Sequence, residues 1–180
     1  LILCGLVMII QDFYNSTYAQ NSSAATVQEA SFSSADVLYL SSYSRSFTTV
    51  PDQEKGIRKV FDQYPGITLT EEFMDTRNYP AEGNLRNVYE SLLYKYRNKD
   101  AFDAIILADD AALKFGLRYR DDLFKGSPMV FMCINDFDHA RSAMNYHDVT
   151  GNIEGFDLKG TIEVAAKLLP NADTVVAIYD

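Results

Sequence analysis

The chain has 180 residues, 47% of them hydrophobic, enough for one full core and short for two complete domains. A formal net charge of -9 with no run of Lys and Arg excludes an extended nucleic-acid surface, which needs a basic face to offset phosphate repulsion. Cys4 and Cys133 frame no disulfide scaffold, and His139 and His147 lack the spacing and companion ligands of a zinc site, so neither a metal nor a cofactor is expected.

Residues 1–10, LILCGLVMII, are uniformly apolar. They are too short to cross a ~30 Å hydrocarbon core but match the hydrophobic part of a signal peptide or the end of a signal anchor. Small residues at Thr17 and Ala19 suit cleavage after Ala19, and a retained anchor fits equally well; a buried helix of a soluble fold is the alternative. Residues 1–19 are therefore expected to be a truncated export signal or anchor, and the Ser-, Ala-, Gln- and Asn-rich residues 20–35 a linker.

The first strand is expected at 36–42, followed by a polar loop over 41–49. Pro51, Asp52 and Glu54 suit a first helical turn, with Ile57, Val60, Phe61 and Tyr64 as its buried stripe and Pro65-Gly66 as its stop. Residues 67–73 alternate apolar and polar, as an edge strand does. After Pro80, Leu85, Val88, Tyr89, Leu92, Leu93 and Tyr96 recur at helical spacing.

The continuous apolar runs at 104–107 and 129–134 read as central strands of a parallel sheet. Between them Leu113, Leu117 and Phe124 predict a helix stripe, with Lys114, Arg118, Arg120 and Asp121 toward water, and Asp109 or Asp110 is expected to cap that helix. An irregular or briefly helical piece follows Asp136, then a short strand at 149–153. Asp157 then caps a helix with Leu158, Ile162, Ala165, Ala166 and Leu169 inward, and a last strand lies at 174–179. The pattern is α/β, a parallel sheet of order 2-1-3-4-5 with right-handed crossovers and helices on both faces.

Open sheets of this kind bind ligands outside the carboxyl ends of their strands. The candidates there are Ser41, Ser42, Tyr43 and Arg45 after the first strand, Asp109 and Asp110 after the third, Asn135 and Asp136 after the fourth, and Glu154 after the fifth. Serines and Arg45 suit a ligand carboxylate, Tyr43 or Phe47 an apolar part, and the acids an ammonium or hydroxyl group. The same residues also read as ordinary loop and capping groups. Paired carboxylates raise a hydrolase as an alternative, but no phosphate loop or nucleophile elbow accompanies them, so no catalytic residue is assigned.

The segments YLSSYSRSFTTVPDQEKGI, EEFMDTRNYP, FDAIILADDAALKFGLRYRDDLFKGSPMVFMCINDFD and VTGNIEGFDLKGTIEVAAKLLPNADTVVAIYD together resemble the ABC-transporter substrate-binding-like domain, the extracytoplasmic sensor of many bacterial histidine kinases and diguanylate cyclases. The resemblance covers about 36–180 and implies the type I periplasmic-binding-protein fold, two Rossmann-like lobes around a ligand cleft. On that basis 36–152 is lobe one, and 153–180 is the hinge and a truncated start of lobe two. The implied function is small-solute sensing outside the cytoplasm, without enzymatic activity in this region, anchored to a membrane if the leader is uncleaved and compatible with a homodimer. A free solute-binding protein of an ABC transporter is the alternative.

Overall fold

The computed structural model describes residues 34–155 and 157–176. The leader over 1–19, residues 20–33 of the expected linker and residues 177–180 of the last expected strand lie outside the described residues. Ten elements follow in order. They are β1 (Ala35–Ser41), α1 (Val50–Phe61), β2 (Ile67–Phe73), α2 (Glu82–Tyr96), β3 (Ala104–Ala108), α3 (Asp109–Arg118), β4 (Met129–Ile134), α4 (Phe137–Ala143), β5 (Val149–Ile153) and α5 (Leu158–Leu168).

The five strands form one parallel sheet in the order β2-β1-β3-β4-β5. The arrangement is the expected Rossmann-like one, with β2 at an edge. Strand periodicity divides the apolar residues between two faces. Leu38, Leu40, Ile105, Leu107, Met129 and Phe131 point to one face, where Leu92 of α2, Leu113 and Phe115 of α3 and Ala140 of α4 cover them. Val37, Tyr39, Ala104, Ile106 and Val130 point to the other, where Phe61, Ile57 and Val60 of α1 pack. Helix α3 lies close on β3 because position 116 is glycine: a Cβ there would come 2.6 Å from Leu107 Cδ1.

Several expectations need correction. Helix α1 ends at Phe61, and Tyr64 lies beyond it on the surface instead of completing the buried stripe. Leu93 is likewise exposed on α2, because Leu92 takes the position facing the sheet. Helix α3 ends at Arg118, so Phe124 reaches the core from the following turn. Arg120, expected in water, folds inward to an ion pair with Asp148, which satisfies the charge where the chain re-enters the sheet.

Helix α5 departs furthest. Asp157 caps it as expected, its carboxylate accepting from the Gly160 N–H at 2.8 Å. Yet Leu158, Ile162 and Leu169 are exposed, and no α5 residue joins either core cluster. The stripe is present but none of the described elements covers it. Residues 174–176 form no strand. Among the described residues no helix is long and apolar enough to cross a membrane.

Candidate functional site

With the order 2-1-3-4-5 the chain winds outward in opposite directions from β1 and β3, so the crevice at their carboxyl ends is the natural ligand position. Two seryl groups close β1 there, both buried. Ser42 Oγ donates to the Ala108 carbonyl at 2.8 Å and accepts from the Ala112 N–H at 2.8 Å. It therefore stitches β1 to the start of α3 and satisfies one of the N–H groups a helix start leaves unpaired. Ser41 Oγ accepts from the Tyr43 N–H at 3.2 Å, turning the chain out of the strand.

The expected capping by an aspartate of α3 is not found. The cap position is Ala108, with no side-chain capping bond, and Ser42 supplies that bond from across the sheet. Asp110 instead accepts from the backbone N–H groups of Asn135 and Asp136 at 3.2 and 3.0 Å, tying the end of β4 to α3. Asp136 in turn caps α4 through the His139 N–H and pairs with Lys114 at 3.1 Å. The His139 bond, followed by Lys114, holds its carboxyl below the usual range.

Arg45 faces protein carboxylates. Its Nε lies 3.0 Å from Glu54, a terminal nitrogen lies 2.6 Å from Glu71, and the guanidinium sits over the Phe73 ring. Tyr43 packs against Phe47 with ring centroids 4.3 Å apart, and the Arg77 guanidinium covers the Phe47 ring. Glu154 has an exposed side chain and is held by its backbone N–H, which donates to the Ile134 carbonyl.

Asp109 directly follows β3, the strand paired with β1. It is only 6% exposed, and its Oδ2 is buried without a hydrogen-bond partner. Burial pushes the carboxyl up to about 6; the Gln53 amide opposes this, and Asp110 and Glu154 add to it. Its φ of 71° lies in the left-handed region, as does the φ of 58° at Cys133 on the neighbouring strand end. Such conformations cost about 1–3 kcal/mol each and cluster at functional sites.

Three residues complete this cluster that the sequence did not single out. The Tyr39 hydroxyl donates to Gln53 Oε1 at 2.8 Å, and Gln53 Nε2 donates to Cys133 Sγ at 3.4 Å. Tyr39 was legible in principle, since period two places it on the same sheet face as Ser41, toward α1. Gln53 offers no signal, because its role depends on the angle at which α1 crosses the sheet. Cys133 lies in the run expected as a central strand, yet it is half-buried, because the irregular β4–β5 register between Phe131 and Ile134 turns it out of the regular ladder. Burial pushes its thiol up to about 11, so at neutral pH it is a protonated thiol rather than a nucleophilic thiolate.

Of the nine sequence candidates, Ser42 and Asp110 tie strand ends to α3, Ser41 and Asp136 bond backbone N–H groups just downstream of themselves, and Arg45 belongs to an ion-pair network with Glu54 and Glu71. Asn135 contributes its backbone N–H, whereas Tyr43 and Glu154 flank the crevice around Asp109. A separate groove of about 600 Å3 lies between α2 and α3, walled by Arg86, Tyr89, Arg118 and Tyr119, and includes none of the candidates. Comparison of the chain with models of known protein families, with characterised proteins and with solved structures finds no match.

Proposed function

We propose that this chain carries the first lobe of an extracytoplasmic sensor domain of a bacterial membrane signalling protein, that a small solute binds at the strand-end crevice between β1 and β3, and that a second lobe begins at α5. The observation that carries the reading is Asp109, a buried carboxylate with an unpartnered oxygen at the point where the sheet reverses its winding. A buried acceptor left unpaired costs about 1–3 kcal/mol, and a ligand donor there recovers it. The uncovered apolar stripe of α5 supports a second packing unit. The signalling context rests on the sequence resemblance.

In such a binder a solute favours the closed form through contacts made to both lobes at once. The test is a thermal-unfolding screen of a small-solute library against the protein expressed from its complete coding sequence, followed by solution scattering on the hits. A hit at about one hundred times its dissociation constant should add about 2.7 kcal/mol of stability, and the radius of gyration should fall. A library without hits contradicts solute binding. Hits that leave the radius unchanged contradict two-lobe closure.

A further inference from the structure

We propose that the solute of the strand-end crevice carries an ammonium group, held by the Asp109 carboxylate with Asp110 and Glu154 nearby. This deepens the solute-binding reading and rests on it.

The charges around Asp109 decide the sign of the ligand. On α3 the neighbouring group is Asp110, and beyond β5 it is Glu154, both of which act on the Asp109 carboxyl as like charges. From β1 and β4 the facing groups are Tyr39 and Cys133, both pushed toward their neutral forms by burial. Two cations of this edge are paired elsewhere, Arg45 with Glu54 and Glu71 and Lys114 with Asp136, whereas Arg77 sits over the Phe47 ring and acts on Tyr43. The interior of the crevice is thus acidic, and Asp109 Oδ2, more than nine-tenths buried with its residue, lacks a donor.

An ammonium supplies both the missing hydrogen bond and the missing positive charge. The group it displaces is weakly held. Gln53 Nε2 is bonded at 3.4 Å to a thiol sulfur, a poor acceptor, so that nitrogen can give way while Oε1 keeps its 2.8 Å bond from the Tyr39 hydroxyl. Tyr43, packed on a Phe47 ring that Arg77 already covers, offers the carbon part of an amine an apolar contact. An inorganic cation fits less well, because the described residues contain no cluster of three or more metal-ligating side chains.

Three probes of matched size and different charge test this: butylammonium, 1-butanol and butyrate, titrated into the protein expressed from its complete coding sequence and read by saturable shifts in melting temperature. The expected result is saturation by butylammonium alone, with affinity falling about tenfold or more in Asp109→Asn. Asparagine is the residue of choice because it tolerates the left-handed backbone. Glu90→Gln, in the separate groove, should bind like the unsubstituted protein. Should Asp109→Asn fail to fold, the unsubstituted protein still decides, since butylammonium affinity must rise between about pH 5 and about pH 7 as the carboxylate ionises. Saturation by butanol or butyrate instead, or equal butylammonium binding in Asp109→Asn, overturns the ammonium assignment and leaves solute binding standing. If none of the three saturates, the ammonium assignment also falls, and the library screen separately decides solute binding.

Discussion

A buried acid at a strand end stores free energy that pH can read. The Asp109 carboxyl titrates at about 6 in the folded chain against an ordinary value of 3.8, with burial as the main cause. Between these values the folded state holds more protons than the unfolded one, so this group's contribution to stability falls as pH rises from about 4 to about 6 and stays lower above. Asp109→Asn should flatten that slope, worth about 1–2 kcal/mol once solvent near the group is allowed for. Urea unfolding at about pH 4 and about pH 7.5 checks it, and an unchanged slope means that the carboxyl is not desolvated. Ser42 is a different kind of residue, since its hydroxyl satisfies two backbone groups at 2.8 Å each. Ser42→Ala should cost about 1–3 kcal/mol in the same assay; a loss within error would assign the bridge to water. The sequence placed Ser42 and Asp109 at the crevice because strand ends are readable from apolar runs. It could not distinguish the serine that bonds the scaffold from the acid left unpaired, since that depends on which groups meet in space, such as Ser42 and the Ala108 carbonyl 66 residues along the chain.

At the level of elements, the strands were legible because β1, β3 and β4 are buried on both faces and carry no polar alternation, whereas β2 does. Their order followed from the edge character of β2 and the central character of β1, β3 and β4. What escaped were features set by contact between elements: the end of α3 before Phe124, the inward turn of Arg120 to Asp148, and the irregular β4–β5 pairing. Gly151 shows how tight that pairing is. A Cβ there would lie 2.1 Å from the Phe131 carbonyl oxygen, a backbone atom that moves only with its strand. Gly151→Ala should therefore cost about 2 kcal/mol or more. Gly56 in α1 has nothing within 4 Å of the same position, and Gly56→Ala should gain about 0.5–1 kcal/mol. Chemical denaturation of the pair gives opposite signs if both environments are as described.

For the whole molecule, the parallel sheet forms a core with two covered faces, while α5 leaves β5 past Gly155 and presents Leu158, Ile162 and Leu169 to solvent. Helical spacing made that stripe legible, but periodicity specifies an apolar face without naming its partner, which is why the inward packing expected of α5 is not met within the described residues. The proposed two-lobe binder gives the stripe a partner and Asp109 a ligand in the same arrangement. A crystal structure of the protein expressed from its complete coding sequence, grown with a solute that raises its melting temperature, tests this most directly. The account predicts solute density in contact with Asp109 at the β1/β3 crevice, enclosed by a second lobe whose core includes the α5 stripe. Solute bound in the α2–α3 groove, or an α5 stripe packed back onto this same sheet, would contradict it.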